Sequence, residues 1–344
     1  MASLEIVDYV MLEAAASDVG VRERVVRALG GAGMIAVRNV PGLEYLRSVL
    51  LPQARTLALM PDLDRKSVLK ENLLGSDVPL KRKDRLVSSF VTQLPVSRSE
   101  TDQTPDQLVL KTGELFRHLG YRLIDVGVRV ARVCDTALPG LQLEKTILGS
   151  QTAKGRLIHY HSECERLPRP DPAQRELSGS EFWQQWHYDY GVLTVLTAPV
   201  YINASGSVGQ SHSSLVAMDS WTGSVTAVNI PDGSVLVQVG EAAQIFSGGK
   251  LRATAHCVVK PQLDPEASRE TFVVFLQPAW DKALSCQVAL EDGDETGSGD
   301  NRISVIPPLE TRWKKGCTFA EFSKQTTGQY YGSKGIQSNK TRAV

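Results

Sequence analysis

The chain has 344 residues, of which 42% are hydrophobic and 22% charged, a balance typical of globular proteins rather than disordered or membrane-embedded ones. Its 38 basic and 38 acidic residues give a formal net charge of zero, so no overall field attracts it to nucleic acid or to an anionic membrane. Five cysteines without a C-x-x-C pair argue against a disulfide framework and against a thiolate zinc site. We therefore expect a cytoplasmic protein with neither nucleic acid nor membrane as partner. We also expect a monomer.

The first part of the chain alternates between helical and strand patterns. Helical spacing of apolar residues over Val21–Leu29 stops at a Gly-Gly pair, and the short apolar run Met34–Val37 then predicts a buried strand. Helical spacing returns over Leu43–Leu59 and again over Pro105–Ala137, and we expect the longer helix to pack against a sheet. The segment Val87–Thr104 has no clear period, which favours a solvated connector, with a mobile loop as the alternative.

From about residue 146 onwards the pattern predicts strands, because short β-rich runs follow one another with turn residues between them. The predicted strands are Arg156–His161, Trp186–Ala198, Ser214–Met218, Ser224–Asn229, Ser234–Val239, Leu251–Val259 and Glu270–Leu276. We expect a mainly β fold with flanking helices, with a jelly-roll, cupin-like core (a double-stranded β-helix). An N-terminal α/β region (1–145) would precede this core (146–283), and a C-terminal extension (284–344), helical near Thr318–Gln325, would follow it.

Three side chains in this β region suggest a metal site. His187 and Asp189 are two residues apart in a predicted strand, and the period of two places both on the same face. His256 lies on a later predicted strand, which a β roll can bring opposite the first. Two imidazoles and one carboxylate on one side of an ion leave open positions on the other, as non-heme iron(II) requires. We predict His187, Asp189 and His256 as ligands of iron(II).

A second polar pair lies 13 positions beyond His256 (269 − 256 = 13). Arg269 and Thr271 are again two residues apart; Arg269 directly precedes the last predicted strand and Thr271 lies near its start. A guanidinium and a hydroxyl on one strand face can hold a carboxylate through charge-assisted hydrogen bonds. We therefore predict an anion site at Arg269 and Thr271.

The run from His187 to Leu196 resembles the H-x-D-x-G-x-L-T-L-L stretch of the 2-oxoglutarate- and iron(II)-dependent oxygenases, and Arg269-Glu270-Thr271 resembles their R-x-S motif. Residues 32–42 and 237–256 are similar to further sequence stretches of this family, and the resemblance fits best the branch that contains isopenicillin N synthase and the plant flavonol and anthocyanidin synthases. The resemblance implies that Arg269 and Thr271 hold the far carboxylate of 2-oxoglutarate. It also implies that Tyr160 assists this cosubstrate, although His159 or His161 could face the pocket instead.

The activity that this resemblance implies is oxidation of a C–H bond of a small organic substrate, by hydroxylation or desaturation. Iron(II), 2-oxoglutarate and dioxygen would take part, succinate and carbon dioxide would be released, and ascorbate is an optional reductant. Two alternatives remain at this point: an iron(II) oxidase of the same fold that does not use 2-oxoglutarate, and a non-catalytic small-molecule receptor. The identity of the substrate does not follow from the sequence.

Overall fold

Two β-sheets enclose an apolar cluster, and helices cover the outer side of the larger sheet, in the computed structural model of the chain. It describes residues 4–15, 18–76, 86–96, 111–165, 181–208, 213–219, 222–261, 264–288 and 306–331. The helices are α1 (Tyr9–Ala14), α2 (Val19–Gly31), α3 (Leu43–Leu59), α4 (Asp62–Glu71), α5 (Thr112–Ala137), α6 (Leu143–Gly149), α7 (Glu241–Phe246) and α8 (Phe319–Tyr331). The strands are β1 (Glu5–Asp8), β2 (Met34–Arg38), β3 (Gly75–Ser76), β4 (Val87–Pro95), β5 (Thr152–Tyr160), β6 (Phe182–His187), β7 (Leu193–Thr197), β8 (Val200–Asn203), β9 (Gly206–Val208), β10 (Leu215–Met218), β11 (Val225–Ala227), β12 (Ser234–Val239), β13 (His256–Val259) and β14 (Ser268–Leu276).

The larger sheet runs in the order β1-β2-β12-β7-β14-β5-β4-β3, with β8 and β9 continuing from one end of β14. The smaller sheet runs β11-β10-β13-β6. Alternate residues of the larger sheet face opposite ways, as the strand period requires. On β14, Phe272 and Val274 pack with the helices, whereas Val273 packs between the sheets with Leu215 and Val258 of the smaller one. This is the two-sheet jelly-roll arrangement that the sequence predicts.

Several predicted elements are confirmed. Helix α3 and strand β12 have the predicted bounds, and β2 extends one residue beyond its predicted end. Helix α5 packs against β7 and β14, as expected of a helix that backs the sheet. The N-terminal strand β2 pairs directly with β12 of the core, so the N-terminal region extends the larger sheet. The helix near Thr318–Gln325 is also present, and α8 continues it to Tyr331.

The expectation of a solvated connector over Val87–Thr104 is wrong for its first half. Residues 87–95 form β4, which pairs with β5 along its whole length. Ser88 and Ser89 are fully buried, and their hydroxyls lie 2.8 Å from His161 Nε2 and 2.9 Å from Arg156 Nε. The prediction relied on alternation of apolar and polar residues, which β4 lacks because it buries serines. These serines can be buried because polar side chains of β5 and of the residue after it form hydrogen bonds with them. Residues 97–104 lie outside the described ranges.

Two predicted strands are shorter than expected. The run Trp186–Ala198 divides into β6 and β7, and Asp189 lies in the turn between them rather than on a strand. The run Leu251–Val259 becomes a strand only at His256, where β13 begins. Within the described residues, no helix is long and apolar enough to span a membrane.

A buried ion pair joins the C-terminal part of the chain to the core. Arg312 donates to both carboxylate oxygens of Glu241 in α7, at 2.6 Å from Nη1 to Oε2, and it also donates to Thr326 in α8. Both charged side chains are almost fully buried. Such a pair stabilises less than its Coulomb energy suggests, but removal of one partner leaves an uncompensated buried charge.

We expect Arg312→Met to lower the free energy of unfolding by about 3–5 kcal/mol, because Glu241 would stay buried without its partner. Urea unfolding followed by circular dichroism measures this change. The control is Arg132→Met, which removes the more exposed Arg132–Glu144 pair and should change stability by about 0–1 kcal/mol. Equal effects of the two substitutions would contradict the role assigned to Arg312.

Candidate metal centre

The structure brings His187, Asp189 and His256 together into one cluster. His187 ends β6, His256 begins β13, and the two residues are cross-strand partners with ring centroids 4.3 Å apart. Asp189 Oδ1 lies 3.9 Å from His187 Nε2, and Asp189 Oδ2 lies 3.9 Å from His256 Nε2. One ligand atom from each residue falls within 4.8 Å of the others, and all three residues are buried. The donors therefore converge on a space that one metal ion can fill.

Backbone hydrogen bonds fix which ring nitrogen of each histidine faces this space. His187 Nδ1 lies 2.8 Å from the carbonyl oxygen of Gln185, and His256 Nδ1 lies 3.0 Å from that of Thr254. A carbonyl only accepts, so each Nδ1 carries a proton, and Nε2 is the nitrogen that can offer a lone pair to a metal ion. This is the outer-shell arrangement that commonly orients a metal-binding imidazole.

The surroundings keep His187 uncharged. Burial, and then the neighbouring His256, lower the pKa of His187, and the carboxylate of Asp189 only partly opposes them. A neutral imidazole is the form that binds a metal ion. The donor set thus fits a divalent ion such as iron(II), with two imidazole nitrogens and one carboxylate.

Hydrogen bonds from the start of α7 hold the turn that carries Asp189. The backbone N–H of Glu241 donates to the carbonyl of Asp189 at 2.8 Å, and that of Gly240 donates to Val192 at 2.9 Å. The chains approach so closely that a Cβ on Gly240 would lie 2.2 Å from the carbonyl oxygen of Gly191. Glycine at position 240 therefore allows α7 to support the aspartate.

Arg269 lies on the face of β14 that is directed between the two sheets. Its side chain is 1% exposed, its guanidinium carbon lies 5.0 Å from the centroid of the Tyr160 ring, and its Nε has no hydrogen-bond partner. No carboxylate of the described residues forms an ion pair with it. A buried guanidinium without a counter-ion is unfavourable unless an anion binds, and the predicted carboxylate site fits this requirement.

Tyr160 and Gln184 connect Arg269 to the metal-ligand cluster. The Tyr160 hydroxyl donates to Gln184 Oε1 at 3.2 Å, and Gln184 Nε2 lies 3.0 Å from His187 Nε2. Burial raises the pKa of Tyr160, which Arg269 opposes, so the phenol stays protonated. Gln184 was not among the residues predicted from the sequence. Its position three residues before His187 was the available signal, but a glutamine at that spacing has no distinctive chemistry.

The other predicted residues occupy different places. Thr271 is buried in the predicted position two residues from Arg269, but its hydroxyl donates to the carbonyl of Thr197 at 3.2 Å. His159 and His161 do not face the metal-ligand cluster. His159 lies on the opposite face of β5 from Tyr160, and the ring of His161, which follows the strand, packs against that of His159. Of the three aromatic residues at this strand end, the structure therefore places Tyr160 beside Arg269.

Comparison with known proteins identifies the fold. No protein-family model matches the sequence, and no curated protein is similar to it. Among solved structures, a full-length Neurospora crassa protein in complex with alpha-KG and 5-formyluracil has a TM-score of 0.64 at 14% identity, covering 94% of this chain and 96% of its own. The dioxygenase for auxin oxidation 1 of Arabidopsis thaliana, in complex with 2-oxoglutarate, has a TM-score of 0.60 at 18% identity, covering 82% and 96%.

JOX2, in complex with 2OG, Fe and JA, has a TM-score of 0.61 at 18% identity, with coverage of 97% of this chain and 87% of its own. The chain therefore has the jelly-roll fold of the 2-oxoglutarate- and iron(II)-dependent oxygenases, and the predicted fold class is confirmed. The narrower resemblance to the isopenicillin N synthase and flavonol synthase branch stays a prediction.

We expect Gly240→Ala to disturb the Asp189 turn, because the added methyl group would overlap the Gly191 backbone. Overpacking of this kind lowers the free energy of unfolding by about 1–3 kcal/mol, and metal affinity should fall with it. Thermal unfolding and equilibrium dialysis with iron(II) under anaerobic conditions measure the two effects. Gly328→Ala is the control, since its new methyl group meets no atom within 4 Å. The prediction fails if both variants behave like the wild type.

Proposed function

We propose that the protein is an iron(II)- and 2-oxoglutarate-dependent oxygenase that oxidises a C–H bond of a small organic molecule, by hydroxylation or desaturation, with release of succinate and carbon dioxide. The observation that carries this proposal is that a cluster of metal ligands and a site for an anion lie side by side. Two imidazoles and a carboxylate converge on one point, and beside them lies a buried guanidinium that has no counter-ion among the described residues, connected through Tyr160 and Gln184.

In this proposal His187, Asp189 and His256 hold iron(II), and Arg269 holds the far carboxylate of 2-oxoglutarate. The metal, when bound, activates dioxygen for oxidation of the cosubstrate and of the substrate. Tyr160 and Gln184 position the groups between these two sites. Thr271 can take part in the anion site only if its hydroxyl turns away from the carbonyl of Thr197.

The residues between the sheets contribute a largely apolar environment. Trp183, Ile158 and Leu215 belong to the buried cluster that also contains Tyr160. Exclusion of water strengthens electrostatic interactions in such a site and protects reactive species from side reactions. An apolar surrounding also suits a small organic substrate, and the ligands named for the structural neighbours, 5-formyluracil and JA, are small organic molecules.

Arg269 distinguishes the proposed oxygenase from the alternatives. An oxidase that does not use 2-oxoglutarate, or a receptor that binds no metal, gives no reason for a buried guanidinium beside an intact ligand triad. A monomeric state, a cytoplasmic location and the absence of nucleic-acid and membrane partners also belong to this proposal. Ascorbate would serve only to keep the metal reduced.

We expect Asp189→Ala to abolish iron-dependent release of succinate from 2-oxoglutarate. It should weaken iron(II) binding by more than the about 10- to 100-fold that loss of an outer-shell partner causes. Anaerobic iron titration and a succinate assay without added substrate measure the two quantities. Asp232→Ala is the control, because this carboxylate is 79% exposed and lies outside the cluster. Wild-type protein that binds iron(II) but neither binds nor turns over 2-oxoglutarate would exclude the proposed activity.

We expect Arg269→Gln to raise the dissociation constant for 2-oxoglutarate about 10- to 100-fold, since a hydrogen bond to a charged group contributes about 1.5–3 kcal/mol. Iron(II) affinity should stay near the wild-type value, because Arg269 is not a ligand. Isothermal titration under anaerobic conditions gives both constants. Arg24→Gln removes a half-exposed guanidinium paired with Glu5 and should change neither. Unaltered 2-oxoglutarate affinity in Arg269→Gln would move the anion site elsewhere.

A further inference from the structure

A second group of ionisable side chains lies on the other face of the larger sheet. His159 and Glu270 are cross-strand partners in β5 and β14, and both are fully buried. Their neighbours Tyr160 and Arg269 face the space between the sheets, so His159 and Glu270 face the helices. His161 and Glu165 lie in the segment after β5. One ligand atom each of His159, His161 and Glu165 falls within 4.8 Å of the others.

His159 contacts Glu270 through Nδ1, and its other ring nitrogen, Nε2, is directed at Glu165. His159 Nδ1 lies 2.7 Å from Glu270 Oε1, which also accepts from Ser268. An ionised Glu270 can only accept, and Nδ1 then carries a proton, although burial raises the pKa of Glu270. The buried Nε2 then lies 3.3 Å from Glu165 Oε2, without the geometry of a hydrogen bond. A carboxylate–histidine pair with the second nitrogen directed at further donors is the usual support of a metal-binding histidine.

The charges on this face require a cation. With neutral imidazoles, Glu165 and Glu270 have only the guanidinium of Arg55, which donates to Glu165 Oε1 at 2.6 Å, as a positive partner among the described residues. A lone pair on His159 Nε2 facing a carboxylate oxygen would be repulsive. The missing positive charge is therefore a proton, on His159 Nε2 or on Glu270, or a metal ion held between the three donors. Burial raises the pKa of Glu270, and, although burial opposes it, Glu165 and Glu270 raise the pKa of His159.

The positions of the donors favour a metal ion. The ring of His161 lies at 80° to that of His159 with centroids 4.3 Å apart, and Ser88 Oγ orients it by a contact of 2.8 Å to Nε2. Glu165 is held by the backbone N–H of Ser162 at 3.0 Å as well as by Arg55. The 3.3 Å from Nε2 to Oε2 matches the edge of a tetrahedron whose metal–ligand bonds are about 2.0–2.1 Å.

We propose that His159, His161 and Glu165 form a second divalent-metal site, of the kind that zinc occupies, on the helix-facing side of the larger sheet. Glu270 supports it by holding His159 Nδ1. The ion would tie the end of β5 to the segment after it and to α3, which carries Arg55. This site is independent of the proposed oxygenase activity, because it shares no ligand with the cluster at His187.

Zinc titration of the full chain tests this proposal after the first cluster has been silenced by His187→Ala and His256→Ala. Equilibrium dialysis with elemental analysis should find one equivalent of zinc in this background, with release of protons if the metal displaces one from the histidines. Adding Glu165→Gln or His161→Gln should abolish this equivalent, and Glu270→Gln should weaken it about 10- to 100-fold. His118→Ala removes a histidine outside both clusters and should leave it unchanged.

A folded, silenced protein that binds no zinc would overturn the proposal and leave a proton on His159 or Glu270 as the bridging charge. Thermal unfolding provides a second measurement, since zinc should raise the midpoint of the silenced protein and a chelator should lower it. If Glu165→Gln does not fold, the number of zinc equivalents bound by the wild-type protein decides. Two equivalents per chain would support the second site, and one would overturn it. Zinc binding at the second site by a wild type that, loaded with iron, neither binds nor turns over 2-oxoglutarate would refute the proposed oxygenase alone.

Discussion

The antiparallel pairing of β5 with β14 is the constraint on which two groups of charged side chains depend, the proposed anion site at Arg269 and the proposed second metal site at His159. Its register places Tyr160 opposite Arg269 and His159 opposite Glu270. Because successive residues face opposite sides of a sheet, the first pair enters the space between the sheets and the second packs under the helices. A slip of one residue would exchange the two faces and bury each charge among the wrong partners. The ionic contacts and the apolar alternation of β14 therefore specify the same register.

The candidate metal centre depends on a different constraint, since backbone contacts rather than side chains set its geometry. The pairing of β6 with β13 places His187 opposite His256, and carbonyls two residues before each histidine orient the rings. The N-terminus of α7 holds the turn with Asp189, and the buried Glu241–Arg312 pair anchors that helix. Donors supported in this way are preorganised, so little conformational freedom is lost when an ion binds.

The sequence predicted the fold class and the three clustered donors, because the H-x-D spacing and the apolar runs of β12 and β14 are local signals. It did not predict β4, whose buried serines are explained only by polar partners on and just after β5. It also placed Asp189 on a strand, whereas α7, 52 positions further along (241 − 189 = 52), holds that residue in a turn. Gln184 and the cluster around His159 escaped detection for the same reason: their chemistry comes from residues that are distant in sequence.

The two faces of the β5–β14 pair carry unbalanced charge of opposite sign. Between the sheets, Arg269 is buried with an aromatic ring but no carboxylate of the described chain as its partner, so the site favours an anion. Under the helices, two carboxylates flank one imidazole, so the site favours a cation. A buried charge without a partner lowers the free energy of unfolding. A ligand of opposite charge that binds only the folded chain raises it again. If both faces bind as proposed, the cosubstrate and the second metal ion each stabilise the same pair of strands, and loss of either ligand should loosen the end of β5.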